Sequence, residues 1–174
     1  MTQKNCCCMR RRTSIMKTLT AYFSASGTTE ALARSLAEHT DSELFEIVPK
    51  VPYSDADLNY MNPFARCNRE MITKKDVSIV SVVRDMDTYD LIFLGFPIWY
   101  YGAPLIITSF LKEYDLTGKK IALFATSGGS DIGKTAQKLK PYIGEAEIIG
   151  ADVFRDSDSL NAWADGLLEE RKEF

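Results

Sequence analysis

Short apolar runs recur along the chain and alternate with segments whose apolar positions fall three and four residues apart. The first run, Lys17–Phe23, reads as a buried strand. In the segment that follows, Leu32 and Leu36 stand at i and i+4 with Ala33 and Ala37 beside them, which predicts a helix over Thr28–His39. Glu43–Val48 is a second, shorter strand. "DLIFLGF", Asp90–Phe96, is continuously apolar, as expected of a strand covered on both faces. Pro104 suits the first turn of a helix, and Leu105, Ile106, Phe110 and Leu111 carry that helix to about Tyr114. Lys120–Thr126 is another buried strand, and a helix over Ile132–Leu139 is ended by Pro141. Glu147–Phe154 is the fifth strand. Leu160, Trp163, Ala164, Leu167 and Leu168 mark a closing amphipathic helix.

Strands that alternate with helices require crossover connections, hence an α/β fold with a mostly parallel sheet between two helical layers. Residues 49–87 interrupt the alternation. Pro49, Pro52 and Pro63 make its first half loop-like, Ala65–Lys75 reads as a helix, and "VSIVSVV" fits either an edge strand or an extended connector. A long connection inside a compact domain is often functional.

At 174 residues the chain suits one domain. The net charge of −3 is uneven: Lys4, Arg10, Arg11 and Arg12 lie in residues 1–15 with no acid, leaving 17 basic against 24 acidic groups in residues 16–174. That balance argues against nucleic acid as a partner of the core and permits a basic protein partner. No apolar run approaches the roughly 20 residues of a membrane span. Cys6, Cys7 and Cys8 are adjacent, Cys67 stands alone, and no zinc-like spacing occurs, so neither a disulfide framework nor a metal site is expected. A reducing, cytoplasmic setting is the simple reading. Residues 1–15 lack apolar periodicity and are expected to be a disordered or dispensable extension before a domain at 16–174.

In a parallel sheet of this kind, ligands bind beyond the carboxyl ends of the strands. Three unusual segments lie there: Ser24–Thr29, Pro97–Gly102 and Ser127–Gly133. The first, "SASGTT", puts Ser24, Ser26, Thr28 and Thr29, with Ala25 and Gly27, at a helix start. Backbone N–H groups and hydroxyls together form an anion site that needs no cationic side chain. The lysine and the spacing of a nucleoside triphosphate loop are both missing, so a single terminal phosphate fits better. One or two such residues would suffice for a helix cap; four in six positions exceed that need. G-x-S-x-G is absent and His39 is the only histidine, so no residue is assigned a catalytic role.

The second segment, "GFPIWYYGAP", sets Trp99, Tyr100 and Tyr101 side by side. Three adjacent large rings cannot all enter one core, so at least one faces the rim, where it can stack on a planar ligand. In the third, "ATSGGSDIG", Gly128 and Gly129 let backbone approach a flat ligand edge. G-x-G-x-x-G is absent, which weakens a dinucleotide-binding reading.

These three segments, in this order and on this topology, make the chain resemble the flavodoxin-like FMN-binding proteins from about Met16 onward. The resemblance is to the short-chain type, and it implies a three-layer sandwich with a five-stranded parallel sheet of order 2-1-3-4-5. Carried over by position, it implies that Ser24, Ala25, Ser26, Gly27, Thr28 and Thr29 hold the FMN phosphate. It also implies that Pro97, Ile98, Trp99, Tyr100 and Gly102, with Thr126, Ser127, Gly128, Gly129, Ser130 and Gly133, surround the flavin ring. One departure stands out: no tyrosine lies between Thr126 and Gly133. A stacking ring must then come from the first loop or from Tyr53, Tyr60 or Phe64, if any stacks at all. The function implied is a low-potential electron carrier serving a redox protein or a small-molecule acceptor. The alternatives are an FMN-dependent NAD(P)H oxidoreductase of the quinone reductase type and, in a different class, a non-catalytic sensor of a phospho-ligand. Because the three loops carry no cation, an uncompensated phosphate is expected to disfavour the reduced, anionic flavin.

Overall fold

A computed structural model describes residues 16–59, 61–80 and 82–169. The expected extension at 1–15 lies outside the described residues. Five parallel strands form one sheet: β1 (Thr18–Tyr22), β2 (Glu43–Glu46), β3 (Leu91–Pro97), β4 (Lys120–Thr126) and β5 (Glu147–Val153). Their order is β2-β1-β3-β4-β5, as the resemblance implies. In-register partners such as Leu19 with Ile92 and Ile92 with Ile121 bring the carboxyl ends of β1, β3 and β4 to one edge of the molecule.

The period-2 alternation of strand side chains builds a core on each face of the sheet. Tyr22, Leu91, Phe93, Ala122 and Phe124 point to the layer formed by α1 (Thr28–Thr40) and α6 (Ser157–Glu169), where Leu32, Leu36, Leu160 and Ala164 meet them. Leu19, Ala21, Ile92, Leu94, Phe96, Ile121 and Leu123 point to the opposite layer, against Ile106, Ile107, Phe110 and Leu111 of α4 (Leu105–Leu111) and Leu139 of α5 (Thr135–Leu139). Each fully buried Leu, Ile or Phe contributes about 1.5–3 kcal/mol. The continuous apolar runs of β3 and β4 are thus explained by burial on both faces.

Residues 49–87 contain α2 (Asp55–Leu58) and α3 (Arg66–Thr73). α2 escapes the hydrophobic pattern because it is one turn long and buries nothing. It rests instead on a local capping box, in which Ser54 and Asp57 satisfy each other's backbone and side chain. The described residues of "VSIVSVV" form an extended connector rather than a strand. Ile79 bridges antiparallel to Pro49, and the segment is pinned to the α4 layer by Val77 N–H donating to Ser109 and Val83 N–H to the Tyr114 hydroxyl.

Candidate functional site

The site begins where β1 ends. Phe23 turns inward, and Gly27, at φ 83°, occupies the N-cap position of α1 in a left-handed conformation that glycine adopts without strain. The cap residue therefore has no hydroxyl, and among the described residues no side chain caps the helix. The first-turn N–H groups have no intrahelical partner. Around them stand Ser26 and Thr28, both exposed, with their hydroxyls 3.3 Å apart. The Ser24 hydroxyl is buried and, among the described residues, has no hydrogen-bond partner. The hydroxyls encircle the helix start without serving it. Thr29 differs from the rest: it is buried, and its hydroxyl is 2.8 Å from that of Thr126 at the end of β4, tying the first loop to the third.

Beyond β3 the chain makes a two-residue hairpin turn. Trp99 and Gly102 exchange both backbone bonds, at 2.9 and 3.0 Å, and Tyr100 and Tyr101 between them have φ of 48° and 58°. Two consecutive left-handed residues are the signature of a type I′ turn, for which glycine and asparagine are the usual residues. Two tyrosines there hold roughly 1–2 kcal/mol of strain each. The turn is fastened by Lys138 Nζ, which donates to the Tyr101 carbonyl at 2.9 Å. Trp99 is half-buried, whereas Tyr100 and Tyr101 are 46% and 74% exposed. The expectation that at least one ring of the triplet faces outward therefore holds.

Trp99 is held edge-on by two rings, Phe23 at 5.7 Å and Tyr53 at 5.4 Å between centroids. Tyr53 belongs to the long connection and is itself locked. Its hydroxyl donates to Glu70 at 2.5 Å, Arg66 lies over its ring at 4.2 Å, and Arg66 Nε donates to the same carboxylate at 2.6 Å. Burial, and secondarily the Glu70 carboxylate, push the Tyr53 phenol well above its ordinary pKa. Tyr53 thus supports Trp99 rather than facing outward. Phe64 is highly exposed, and Tyr60 lies outside the described residues.

In the third loop, Ser127 Oγ accepts hydrogen bonds from the N–H groups of Gly129 and Ser130, at 3.2 and 2.7 Å. The Gly129 N–H is thereby committed to the loop itself. Gly133, at φ 49°, lies beyond this turn.

The strand ends converge on two adjoining cavities. One, of about 350 Å³, is a cleft walled by Ser26 and Thr28, by Pro97, Ile98 and Trp99, and by Thr126, Ser127 and Gly128, so all three segments meet there. Two further residues complete it, Phe154 and Arg155. The other cavity, of about 410 Å³, is mainly apolar and shares Ile98 and Trp99 with the first. Leu58, Cys67, Tyr100, Tyr101 and Ser130 form its remaining walls. Gly102 faces a separate cavity on the α4–α5 side, beside Lys138. His39 sits in the last turn of α1, away from the strand ends, with Nε2 2.8 Å from Asp165.

The three loops carry no cation, as expected, but Arg155, outside them, brings one to the cleft. It directly follows β5, and Phe154 N–H donates to the Ala125 carbonyl at 2.8 Å, bringing this fourth strand end alongside the third. The rule that located the other three segments applies equally to "FRD" after β5. The signal was present, but no cluster of hydroxyls, rings or glycines advertised it.

A sequence model of the family described as Flavodoxin matches residues 17–167. A candidate flavoprotein of Bacteroides eggerthii is 38% identical, with a TM-score of 0.81 over 87% of this chain and 98% of its own. A second, from Bacteroides uniformis, is 35% identical, with a TM-score of 0.75 over 86% of this chain and 98% of its own. A Lactobacillus acidophilus flavoprotein in complex with FMN is 29% identical, with a TM-score of 0.66 over 86% of this chain and 99% of its own. No curated protein matches the chain. The sheet order, the convergence of four strand ends on a hydroxyl-lined cleft, and a family match spanning nearly all described residues agree: the chain belongs to the flavodoxin family.

Proposed function

We propose that the cleft binds FMN and that the protein is an electron carrier of the flavodoxin type. The observation that carries this reading is the start of α1, where uncapped N–H groups are ringed by hydroxyls and the Ser24 hydroxyl is buried without a partner among the described residues. Burying a hydroxyl without a hydrogen bond is costly, about 1–3 kcal/mol, and a phosphate oxygen in the cradle would relieve that cost. The family relationship and the FMN complex of the Lactobacillus flavoprotein support the same ligand.

In this reading Ser24, Ser26, Thr28 and the backbone from Gly27 to Thr29 hold the phosphate. Pro97–Tyr100 and Thr126–Ser130 flank the ring, and the Phe23–Tyr53–Trp99 cluster fixes one aromatic wall. Bound FMN supplies one- and two-electron redox chemistry. The chain's own contribution is to orient the ring, to exclude water from the Trp99 side, and to set the local charge. A phosphate carries close to two negative charges at neutral pH and Arg155 carries one positive, so the cleft stays net negative in this pairing. The low-potential expectation keeps its sign and loses magnitude.

A second reading, an NAD(P)H-dependent oxidoreductase, is favoured by the apolar cavity of about 410 Å³ that shares Ile98 and Trp99 with the cleft. With the flavin held in the cleft, that cavity would offer space for a second planar molecule beside Trp99. Anaerobic titration of the FMN-loaded protein separates the two. The carrier reading expects dithionite to reduce it in two resolved one-electron steps, with no appreciable oxidation of NADH or NADPH. Rapid nicotinamide oxidation would transfer the assignment to the reductase.

A further inference from the structure

Arg155 is the one guanidinium or ammonium group lining the hydroxyl-walled cleft among the described residues. Its side chain is exposed and, among the described residues, makes no ion pair or hydrogen bond. The nearest carboxylate in sequence, Asp156, is engaged elsewhere: its Oδ1 accepts the Ser159 N–H at 2.8 Å in the first turn of α6, and that bond holds the carboxyl below its ordinary pKa. The backbone around Arg155 is fixed on the other side by the Phe154–Ala125 hydrogen bond and by burial of the Phe154 ring against Trp163, 5.1 Å away between centroids. A well-anchored backbone thus presents a cation, unpaired among the described residues, to a cleft that Ser26 and Thr28 also line.

We infer that Arg155 is a specificity-determining residue of the cofactor site, a direct ligand of the FMN phosphate that selects FMN over its unphosphorylated counterpart. The inference rests on the FMN reading above and adds a residue to it. Hydroxyls and N–H groups recognise an anion by shape and hydrogen bonding, but they supply no formal charge. A guanidinium adds a fork of donors matched to phosphate oxygens, together with the countercharge that the α1 cradle lacks. Because the group is exposed, its attraction is screened by salt over roughly 8–10 Å at ordinary ionic strength.

The test measures FMN and riboflavin dissociation constants for the wild-type chain, Arg155→Gln and Arg155→Lys at low and high salt, with thermal melts as a check on folding. The expected result is that Arg155→Gln weakens FMN about tenfold, leaves riboflavin and the melting temperature unchanged, and flattens the salt dependence of FMN binding. Arg155→Lys should recover much of the loss. A merely structural arginine would shift both flavins together or neither. Wild-type FMN binding with an unchanged FMN-to-riboflavin ratio in Arg155→Gln would overturn the role of Arg155 alone. Failure of the wild-type chain to bind FMN would overturn the cofactor reading and this inference with it.

Discussion

Replacing Ser26 and Thr28 together with alanine should weaken FMN binding tenfold to a hundredfold while barely altering riboflavin binding. Each hydroxyl lies at the uncapped start of α1, and neither is engaged in holding the helix. A hydrogen bond to a charged group is worth about 1.5–3 kcal/mol, and two exposed donors fall towards the lower end of that range. Riboflavin has no phosphate, so it should not register the loss. Calorimetric titration of both flavins decides the matter, and equal losses would show that the hydroxyls shape the loop rather than bind phosphate. The fold should tolerate the pair of substitutions, since both side chains are exposed.

Gly95→Ala should instead strike the fold. A methyl group at Gly95 would stand 2.2 Å from Cζ of Phe124, well inside contact distance. The two residues are register partners on β3 and β4, and the Phe124 ring lies across the space that glycine leaves open. That ring is fully buried, so it cannot swing away without disturbing the core it shares with α1 and α6. Overpacking of this kind costs about 1–3 kcal/mol, sometimes more. At about 2–4 °C per kcal/mol for a domain of this size, the melting temperature should fall by roughly 5–10 °C. Adding Phe124→Leu should restore part of the loss by freeing room for the methyl. An unchanged melting temperature in Gly95→Ala would mean that the ring has space the structure does not show.

What made the architecture legible was its periodicity. "LIFLGF" within β3 and "IALFA" within β4 are apolar throughout because both faces of the sheet are covered, and the spacing of Leu32 and Leu36 marks the face of α1 that meets the sheet. Resemblance supplied the strand order. The long connection was less readable, for a physical reason. The helix expected over Ala65–Lys75 is there as α3, but α2 is one turn long, is held by a capping box and carries no hydrophobic stripe to announce it. Tyr53 looked like a possible stacking ring because sequence shows residue type and not direction. Only the fold reveals that Glu70 and Arg66 turn it against Trp99. Thr29 illustrates the same limit: it is one hydroxyl among four in the sequence, yet in the structure it is a buried tie to Thr126. Arg155 shows the converse, a site residue with no motif around it, placed by topology alone.

The claim on which the account turns is that the rim of the sheet takes up FMN, and the most direct measurement is titration of the purified chain, freed of flavin, with FMN while flavin fluorescence is followed. The account predicts saturable binding of one FMN per chain, with altered emission and a clear preference for FMN over riboflavin. Fluorescence that never departs from that of free FMN, with no saturation at any ratio, would contradict it.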